Sequence, residues 1–123
     1  MTIHFQSFER GVIIKGKPTL DDWLIEWRHQ KRTAKSLPHI LGDLLNYGYM
    51  TYGDKVEQEF DSDDDCNEPT FRRGTLYNYK RVSRAWWPPE RKVYPLAHGF
   101  YDATAPLPQK RQERLMRCAI RFN

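Results

Sequence analysis

Cysteine is scarce in this chain, and long apolar runs are absent from it. The 123 residues include two cysteines, Cys66 and Cys118, which are too few for a disulfide framework. We therefore expect two free thiols. The longest apolar runs are short, such as the three residues Val12–Ile14, and no stretch resembles a membrane span. The N-terminus has no apolar signal core, so the expected compartment is the cytoplasm.

The sequence also lacks the patterns that indicate catalysis or a bound metal. Its four histidines and two cysteines are scattered, without the C-x-x-C or H-x-x-x-H spacing of a zinc site. No G-x-S-x-G motif and no Gly-rich phosphate loop is present. A calcium loop starting at Asp61 needs glycine at its sixth position and glutamate at its twelfth, but Cys66 and Arg72 stand there. We therefore expect no catalytic residue, no metal and no cofactor.

Charge is plentiful but unevenly distributed. Charged residues make up 29% of the chain and hydrophobic residues 39%, a composition suited to one folded domain with a modest core. The net charge is +4. Eight carboxylates stand against one lysine from Asp54 to Glu68, whereas seven cations stand against one carboxylate from Arg72 to Lys92. An acidic segment directly precedes a basic one, which matters more for the choice of partner than the net charge.

Hydrophobic periodicity predicts an all-α fold. A first helix, capped by Thr19, runs to about Ala34, and a second, capped by Ser36, ends at Gly48. A short third helix starts near Asp54 and leads into an acidic loop at residues 61–68. Further helices are predicted from Leu76 to Trp86 with Thr75 as N-cap, from Leu96 to Thr104, and from Pro108 to about Phe122 with Leu115, Met116 and Ala119 inward.

The predicted architecture is a single compact bundle of five or six short helices. Residues 1–17 lack helical periodicity and form an extended or short-stranded N-terminal arm. Residues 18–123 form the helical domain. His98 is expected to pack beside Trp86 or Tyr94 rather than to act as a base, because isolated histidines in such patterns usually belong to the core.

The stretch GTLYNYKRVSRAWWPPERK, residues 74–92, combines a helix with a dense set of cations. Four apolar residues recur at three- and four-residue steps and are expected to face the core: Leu76, Tyr79, Val82 and Trp86. A row of cations on the other face can follow DNA phosphates, and the major groove admits a helix. The candidate nucleic-acid-binding residues are Arg73, Thr75, Tyr77, Asn78, Lys80, Arg81 and Arg84. The alternative is an ordinary solvated helix face.

Four segments of the chain, taken in order, resemble a group of small helix-turn-helix proteins of phages, mobile elements and bacterial chromosomes. The segments are PTLDDWLIEW, HILGDLLNYGYMTYGDKVEQEF, TLYNYKRVSRAWWPPERK and YPLAHGFYDATAPLPQKRQERLMRCA. The last two are also similar to the helix-turn-helix core of ParB/KorB-type partition and repressor proteins. The resemblance implies a helix-turn-helix-like unit at about residues 54–87, with Leu76–Trp86 as the recognition helix.

This chain departs from the family pattern in two places. The acidic insertion between Phe60 and Phe71 makes the turn longer than the three or four residues of the simple motif. Pro95 and Leu96 stand where the family has a serine ahead of the later histidine. The longer turn would change the geometry with which the recognition helix docks on DNA. Alternatively, it indicates that a DNA-binding ancestor has acquired another function.

The sequence thus predicts a non-enzymatic protein that binds double-stranded DNA, a regulator or accessory factor of a phage or mobile element. In this interpretation Arg73, Lys80, Arg81 and Arg84 contact phosphates or guanines. Tyr77 and Asn78 contact base edges or sugar. Two-fold operators favour a homodimer. The alternative is a protein-interaction module, an adaptor or inhibitor that docks on a larger nucleic-acid-processing complex, because aromatic residues and arginine dominate binding hot spots.

Overall fold

The computed structural model describes residues 4–33, 37–56 and 72–122 of the chain. In this part a two-stranded hairpin precedes five helices. The elements are β1 (Phe5–Phe8), β2 (Gly11–Ile14), α1 (Leu20–Thr33), α2 (Leu37–Tyr52), α3 (Arg73–Ala85), a 3-10 turn (Pro89–Arg91), α4 (His98–Thr104) and α5 (Gln109–Phe122). No described helix is both long and apolar enough to cross a bilayer. The protein is mostly helical, but it is not purely all-α as predicted.

The N-terminal hairpin is packed onto the helices. β1 and β2 are antiparallel, with Phe5 opposite Ile14 and Phe8 opposite Gly11. Val12 is fully buried in the same cluster as the aromatic residues of α1 and the leucines of α2. Of the two forms predicted for the arm, the structure has the short-stranded one, since the β-branched residues after Gly11 suit a half-buried strand.

α1 and α2 build the larger core cluster. Trp23 and Trp27 lie one helical turn apart and stack with their ring centroids 5.6 Å apart. The Trp23 indole N–H donates to the Leu44 carbonyl at 2.8 Å, so the ring is both buried and hydrogen-bonded. Thr19 caps α1 as predicted: its hydroxyl accepts from the Asp22 N–H, and the Asp22 carboxylate accepts from the Thr19 N–H.

α2 does not end at Gly48, as predicted, but continues to Tyr52. A Cβ at Gly48 would lie 2.8 Å from Cζ2 of Trp23, so the glycine makes room for the indole ring. The helix ends one turn later, where Gly53 has a φ of +65° and its N–H donates to the Tyr49 carbonyl at 3.1 Å. Gly53 is therefore the C-terminal glycine of the helix.

α3 begins earlier than predicted. The N-cap position is occupied by Arg72, whose side chain makes no capping hydrogen bond, and the Leu76 N–H donates to the Arg72 carbonyl at 3.1 Å. Thr75 therefore lies inside the first turn and is not the N-cap. The predicted preceding helix and the acidic loop at residues 61–68 lie outside the described residues, apart from residues 54–56, and the helix-turn-helix-like unit stays a prediction.

The last two helices also differ from the prediction. α4 begins at His98 and not at Leu96, because the Leu96 N–H donates to the Tyr94 carbonyl at 2.7 Å in a tight turn. In α5 Met116 is fully buried as predicted, but Leu115 is 42% exposed. The inward residues of α5 are Gln112 and Met116, and Leu115 lies about 100° around the helix from its neighbour Met116.

α3 joins two core clusters. Its N-terminal half contributes Leu76 to the cluster of α1, α2 and the hairpin. Its C-terminal half contributes Val82 to a second cluster, which also contains Trp86 just after α3, Tyr101 of α4 and Met116 of α5. The position of α3 is therefore determined from both ends, and its opposite face is directed to solvent.

α2 and α3 lie close together at Gly42. A Cβ there would collide with the backbone carbonyl oxygen of Tyr79, which a side-chain rotation cannot relieve. We expect Gly42→Ala to separate the two helices and to lower the free energy of unfolding by about 1–3 kcal/mol, the usual result of overpacking. Urea unfolding followed by tryptophan fluorescence measures this change.

Gly74→Ala is the matched control for Gly42→Ala. Gly74 lies in the first turn of α3, and an added Cβ meets no atom within 4 Å. Because alanine has the higher helix propensity, we expect this variant to be up to about 1 kcal/mol more stable than the wild type. Equal effects of the two substitutions would contradict the close helix crossing.

Candidate nucleic-acid interface

A buried carboxylate holds α3 against the rest of the molecule. Oδ1 of Asp43, in α2, accepts hydrogen bonds from Ser83 Oγ of α3 at 2.6 Å and from Lys92 Nζ at 2.6 Å. Its Oδ2 accepts from the Val12 N–H of β2 at 3.1 Å. Asp43 and Lys92 are almost completely buried. The hairpin, two helices and the segment after the 3-10 turn thus meet at one carboxylate.

The environment of this pair acts on the pKa values of both groups. Burial raises the pKa of Asp43, against the opposing effect of the Lys92 ammonium and of the hydrogen bonds from Ser83 and Val12. Burial likewise lowers the pKa of Lys92, against the effect of the carboxylate. Arg10 of the hairpin donates from Nε to the Lys92 carbonyl at 2.8 Å and so holds the same segment from outside.

The seven residues predicted to contact nucleic acid all lie on α3. Four of them are exposed, namely Arg73, Tyr77, Arg81 and Arg84, and three are half-buried, namely Thr75, Asn78 and Lys80. The predicted inward residues occupy the other side, with Leu76, Val82 and Trp86 buried and Tyr79 half-buried. The division of the helix into two faces is confirmed.

Lys80 lies against two tyrosine rings. Its Nζ is 3.9 Å from the ring centroid of Tyr49, in α2, and 5.0 Å from that of Tyr77. A cation over an aromatic face is attracted by the ring quadrupole, by about 0.5–1 kcal/mol at an exposed site. This contact restricts the Lys80 side chain to the surface between α2 and α3.

Arg81 is held by a carboxylate of α4. Its guanidinium forms an ion pair with Asp102, and it also donates to Oδ1 of Asn78 at 2.8 Å. Both side chains of the ion pair are partly exposed, at 50% for Arg81 and 39% for Asp102. Arg84, one turn further, has no carboxylate within ion-pair distance in the described part of the chain. Arg81 is thus paired with a carboxylate, whereas Arg84 is not paired with any carboxylate of the described residues.

Sequence reasoning missed a second group of cations, on α5. Four of its residues are exposed and lie at spacings of four, three and four residues: Lys110, Arg114, Arg117 and Arg121. We call this group the α5 cationic row. The spacing places all four on one face of the helix. That spacing is visible in the sequence and was the signal available to find them.

A cleft between the hairpin turn and the start of α4 is lined by two histidines. The cleft has a volume of about 320 Å³, and its lining includes Arg10, His39 and His98. The rings of His39 and His98 meet edge to face with centroids 5.0 Å apart, and Tyr79 contacts His98 at 5.6 Å. The prediction that His98 packs beside Trp86 or Tyr94 is wrong: its ring contacts are with His39 and Tyr79.

Both histidines are held in the neutral form. Burial, with the charges of Lys92, His98 and Arg10, lowers the pKa of His39 to about 3. Burial also lowers the pKa of His98, against the opposing charge of Asp102. Nε2 of each ring is buried, and no described residue forms a hydrogen bond with it. In the described part of the chain no three His, Cys, Asp or Glu side chains are grouped so that they could hold a metal ion.

Comparison with known proteins adds no relative to these observations. No family model, no curated protein and no solved structure matches the chain. Function is therefore inferred from the exposed surfaces of α3 and α5 and from the side chains that hold these helices in place.

The two neutral histidines make stability depend on pH. Unfolded histidine titrates near 6.5, whereas His39 in the folded protein stays neutral down to about pH 3. Below about pH 6.5 the unfolded chain binds protons that the folded chain does not, so stability falls as pH falls. We expect His39 to contribute at most about 2 kcal/mol of this loss between about pH 8 and pH 5.

The measurement is the free energy of unfolding in urea across that pH range for the wild type and for His39→Phe. The variant keeps an aromatic ring against His98 and Tyr101 but cannot titrate, so we expect a flatter pH dependence. A His39→Phe profile parallel to that of the wild type would contradict the assignment.

Proposed function

We propose that the protein is a non-enzymatic double-stranded-DNA-binding protein in which α3 enters the major groove. The observation that carries this proposal is the arrangement of α3, which is fixed to the body by Leu76, Val82 and Ser83 and is cationic on its free face. A helix that binds in a groove needs such support on one side and donors on the other. The exposed donors are Arg73, Tyr77, Arg81 and Arg84.

Each donor suits a particular contact with a duplex. Arginine binds phosphate oxygens, or the O6 and N7 atoms of guanine in a bidentate manner. Thr75, Tyr77 and Asn78 lie in the first half of α3, where recognition helices contact base edges, and their side chains donate to bases, sugar or phosphate. The resemblance to helix-turn-helix proteins supports a role as a cytoplasmic regulator or accessory factor of a phage or mobile element, acting as a homodimer on two-fold operators.

The ion pair between Arg81 and Asp102 is compatible with this function. The pair is partly exposed, and such pairs contribute no more than about 1 kcal/mol. A DNA phosphate can therefore replace the Asp102 carboxylate at small cost, because both acceptors bind the same face of the guanidinium. In the protein without DNA, the Asp102 carboxylate holds the Arg81 guanidinium at the surface between α3 and α4.

A protein-docking surface is the second candidate function. It is favoured by an exposed aromatic group beside the cations: Tyr77 is 40% exposed, and its ring centroid lies 5.0 Å from Nζ of Lys80. The Tyr77 ring lies 6.4 Å from that of Tyr49, so aromatic groups of α2 and α3 share one surface. An interface centred on such groups would change little with salt, whereas DNA binding weakens steeply as salt rises.

The test is a fluorescence-anisotropy titration of a random-sequence duplex at several salt concentrations. We expect the wild type to bind with a steep dependence of log K on log salt. Lys80→Gln/Arg84→Gln should reduce the slope by about two, since each lost phosphate contact contributes about 0.9. Lys15→Gln/Lys17→Gln, with the same change of net charge on exposed residues near the hairpin, should leave the slope nearly unchanged.

A second arm of the same titration uses Asp102→Asn, which releases Arg81 from its ion pair. We expect tighter binding at low salt than with Asp21→Asn, an equal charge change at an exposed position in the first turn of α1. Absence of duplex binding by the wild type would refute the proposed function, and equal slopes for the α3 and hairpin variants would exclude α3 as the contact.

A further inference from the structure

The α5 cationic row lies directly opposite the buried side of its helix. Gln112 and Met116 face inward, and at about 100° per residue the row of Lys110, Arg114, Arg117 and Arg121 lies about 150° away from them. The row spans twelve residues of helix, and its eleven steps of 1.5 Å give about 16 Å along the axis. All four side chains are exposed, so their charges project into solvent as one line.

Among the residues that the structure describes, the row has no paired counter-charge. In the described part of the chain no carboxylate lies within ion-pair distance of any of its four cations. The one acidic residue of α5, Glu113, lines the same cleft as Lys110, Arg114 and Arg117 but is not paired with them: its Oε1 accepts from Gln109 at 3.5 Å and lies 3.9 Å from the Arg91 guanidinium. Arg81 of α3, in contrast, already has Asp102 as its partner.

The helix that carries the row is fixed to the end of α3. Nε2 of Gln112 donates to the Ala85 carbonyl at 3.4 Å and to the Ala105 carbonyl at 3.3 Å. Oε1 of Gln112 accepts from Arg91 at 2.8 Å, and Arg91 in turn donates to the Ala85 carbonyl at 3.2 Å. The end of α3 and the middle of α5 are therefore joined by side-chain hydrogen bonds through Gln112 and Arg91.

From these observations we propose that the α5 cationic row is a second contact with the phosphate backbone of the duplex that α3 binds. This inference rests on the proposed function of α3. A single DNA strand carries one phosphate per about 3.4 Å of duplex axis, and four cations in about 16 Å can neutralise several of them. Backbone contacts fix the register of a protein on DNA without selecting a sequence, so the row supplies affinity rather than specificity.

A duplex fits the row better than a lipid surface does. Membrane-bound amphipathic helices insert their apolar face into the bilayer and keep the cations on the other face. In α5 the face opposite the row is occupied by contacts of Met116 with Val82, Trp86 and Tyr101. Exposed apolar residues such as Leu115 and Phe122 lie beside the row but not within it.

The experiment compares three variants in salt titrations with a random-sequence duplex. Lys110→Gln/Arg114→Gln/Arg117→Gln removes three charges of the row, and Lys15→Gln/Lys17→Gln/Arg28→Gln removes three exposed charges of the hairpin side and α1. Both lower the net charge from +4 to +1. We expect the α5 variant to reduce the salt slope by about two to three units, at about 0.9 per contact, and the control to reduce it by less than one.

The third variant, Lys80→Gln/Arg84→Gln, separates failure of this inference from failure of the proposed function. If the α3 variant loses slope while the α5 variant behaves as its matched control, the inference is overturned and the proposed function stands. If the α5 variant loses slope and the α3 variant does not, α5 contacts the duplex without α3, and both the proposed function of α3 and the inference of a second contact beside it are overturned. If the wild type does not bind the duplex at all, both are overturned.

Two further measurements make the outcomes unambiguous. Urea unfolding of the α5 variant and of its control should give the wild-type midpoint, because every charge substituted in these two variants is exposed. Vesicles of phosphatidylserine and phosphatidylcholine serve as the lipid probe. Binding of the wild type to these vesicles that is lost in the α5 variant, together with an unchanged duplex slope, would overturn the proposal in favour of a lipid surface.

Discussion

The carboxylate of Asp43 is the contact on which the arrangement of this molecule depends. Its three donors come from residues 31, 40 and 49 positions away in the chain, in the hairpin, in α3 and after the 3-10 turn. A buried charge without a partner costs several kcal/mol, so these segments are stable only when all of them are in place. Gly11 belongs to the same constraint, since a Cβ there would collide with Oδ2 of Asp43.

The fixed position of α3 has consequences for both charged surfaces. Ser83 and Gly42 hold α3 against α2. The position of Arg84 and Tyr77 on the exposed face of α3 is therefore already determined before any ligand binds. α5 is attached to the same helix end through Gln112, whose Nε2 donates to the Ala85 carbonyl. Preorganised donors lose less entropy on binding, which favours a rigid surface of this kind for a polyanion.

Local patterns in the sequence predicted the local features of the fold. The Thr19 cap and the two faces of α3 depend on spacing within one helix, and the structure has both. Features that depend on distant residues were missed. Nothing near Lys92 in the sequence indicates a buried lysine, because its partner Asp43 lies 49 residues away. Gly48 was interpreted as a helix end, whereas the structure shows that it makes room for the ring of Trp23, which belongs to α1. Pairing of Arg81 with Asp102 was hidden for the same reason. The α5 cationic row could have been found from spacing alone. Only the structure shows that no carboxylate of the described residues lies within ion-pair distance of it.

A double-mutant cycle between Asp43 and Lys92 is the most direct measurement of the central claim. Asp43→Asn leaves a buried lysine without its counter-charge, Lys92→Met leaves a buried carboxylate, and each should lower the free energy of unfolding by about 3–5 kcal/mol. The double variant leaves neither charge unpaired. We expect its loss to be smaller than the sum of the single losses by at least about 1.5 kcal/mol, within the range measured for contacting residues. Losses that simply add would show that the two groups do not stabilise one another, and would contradict the account of how α3 is held in place.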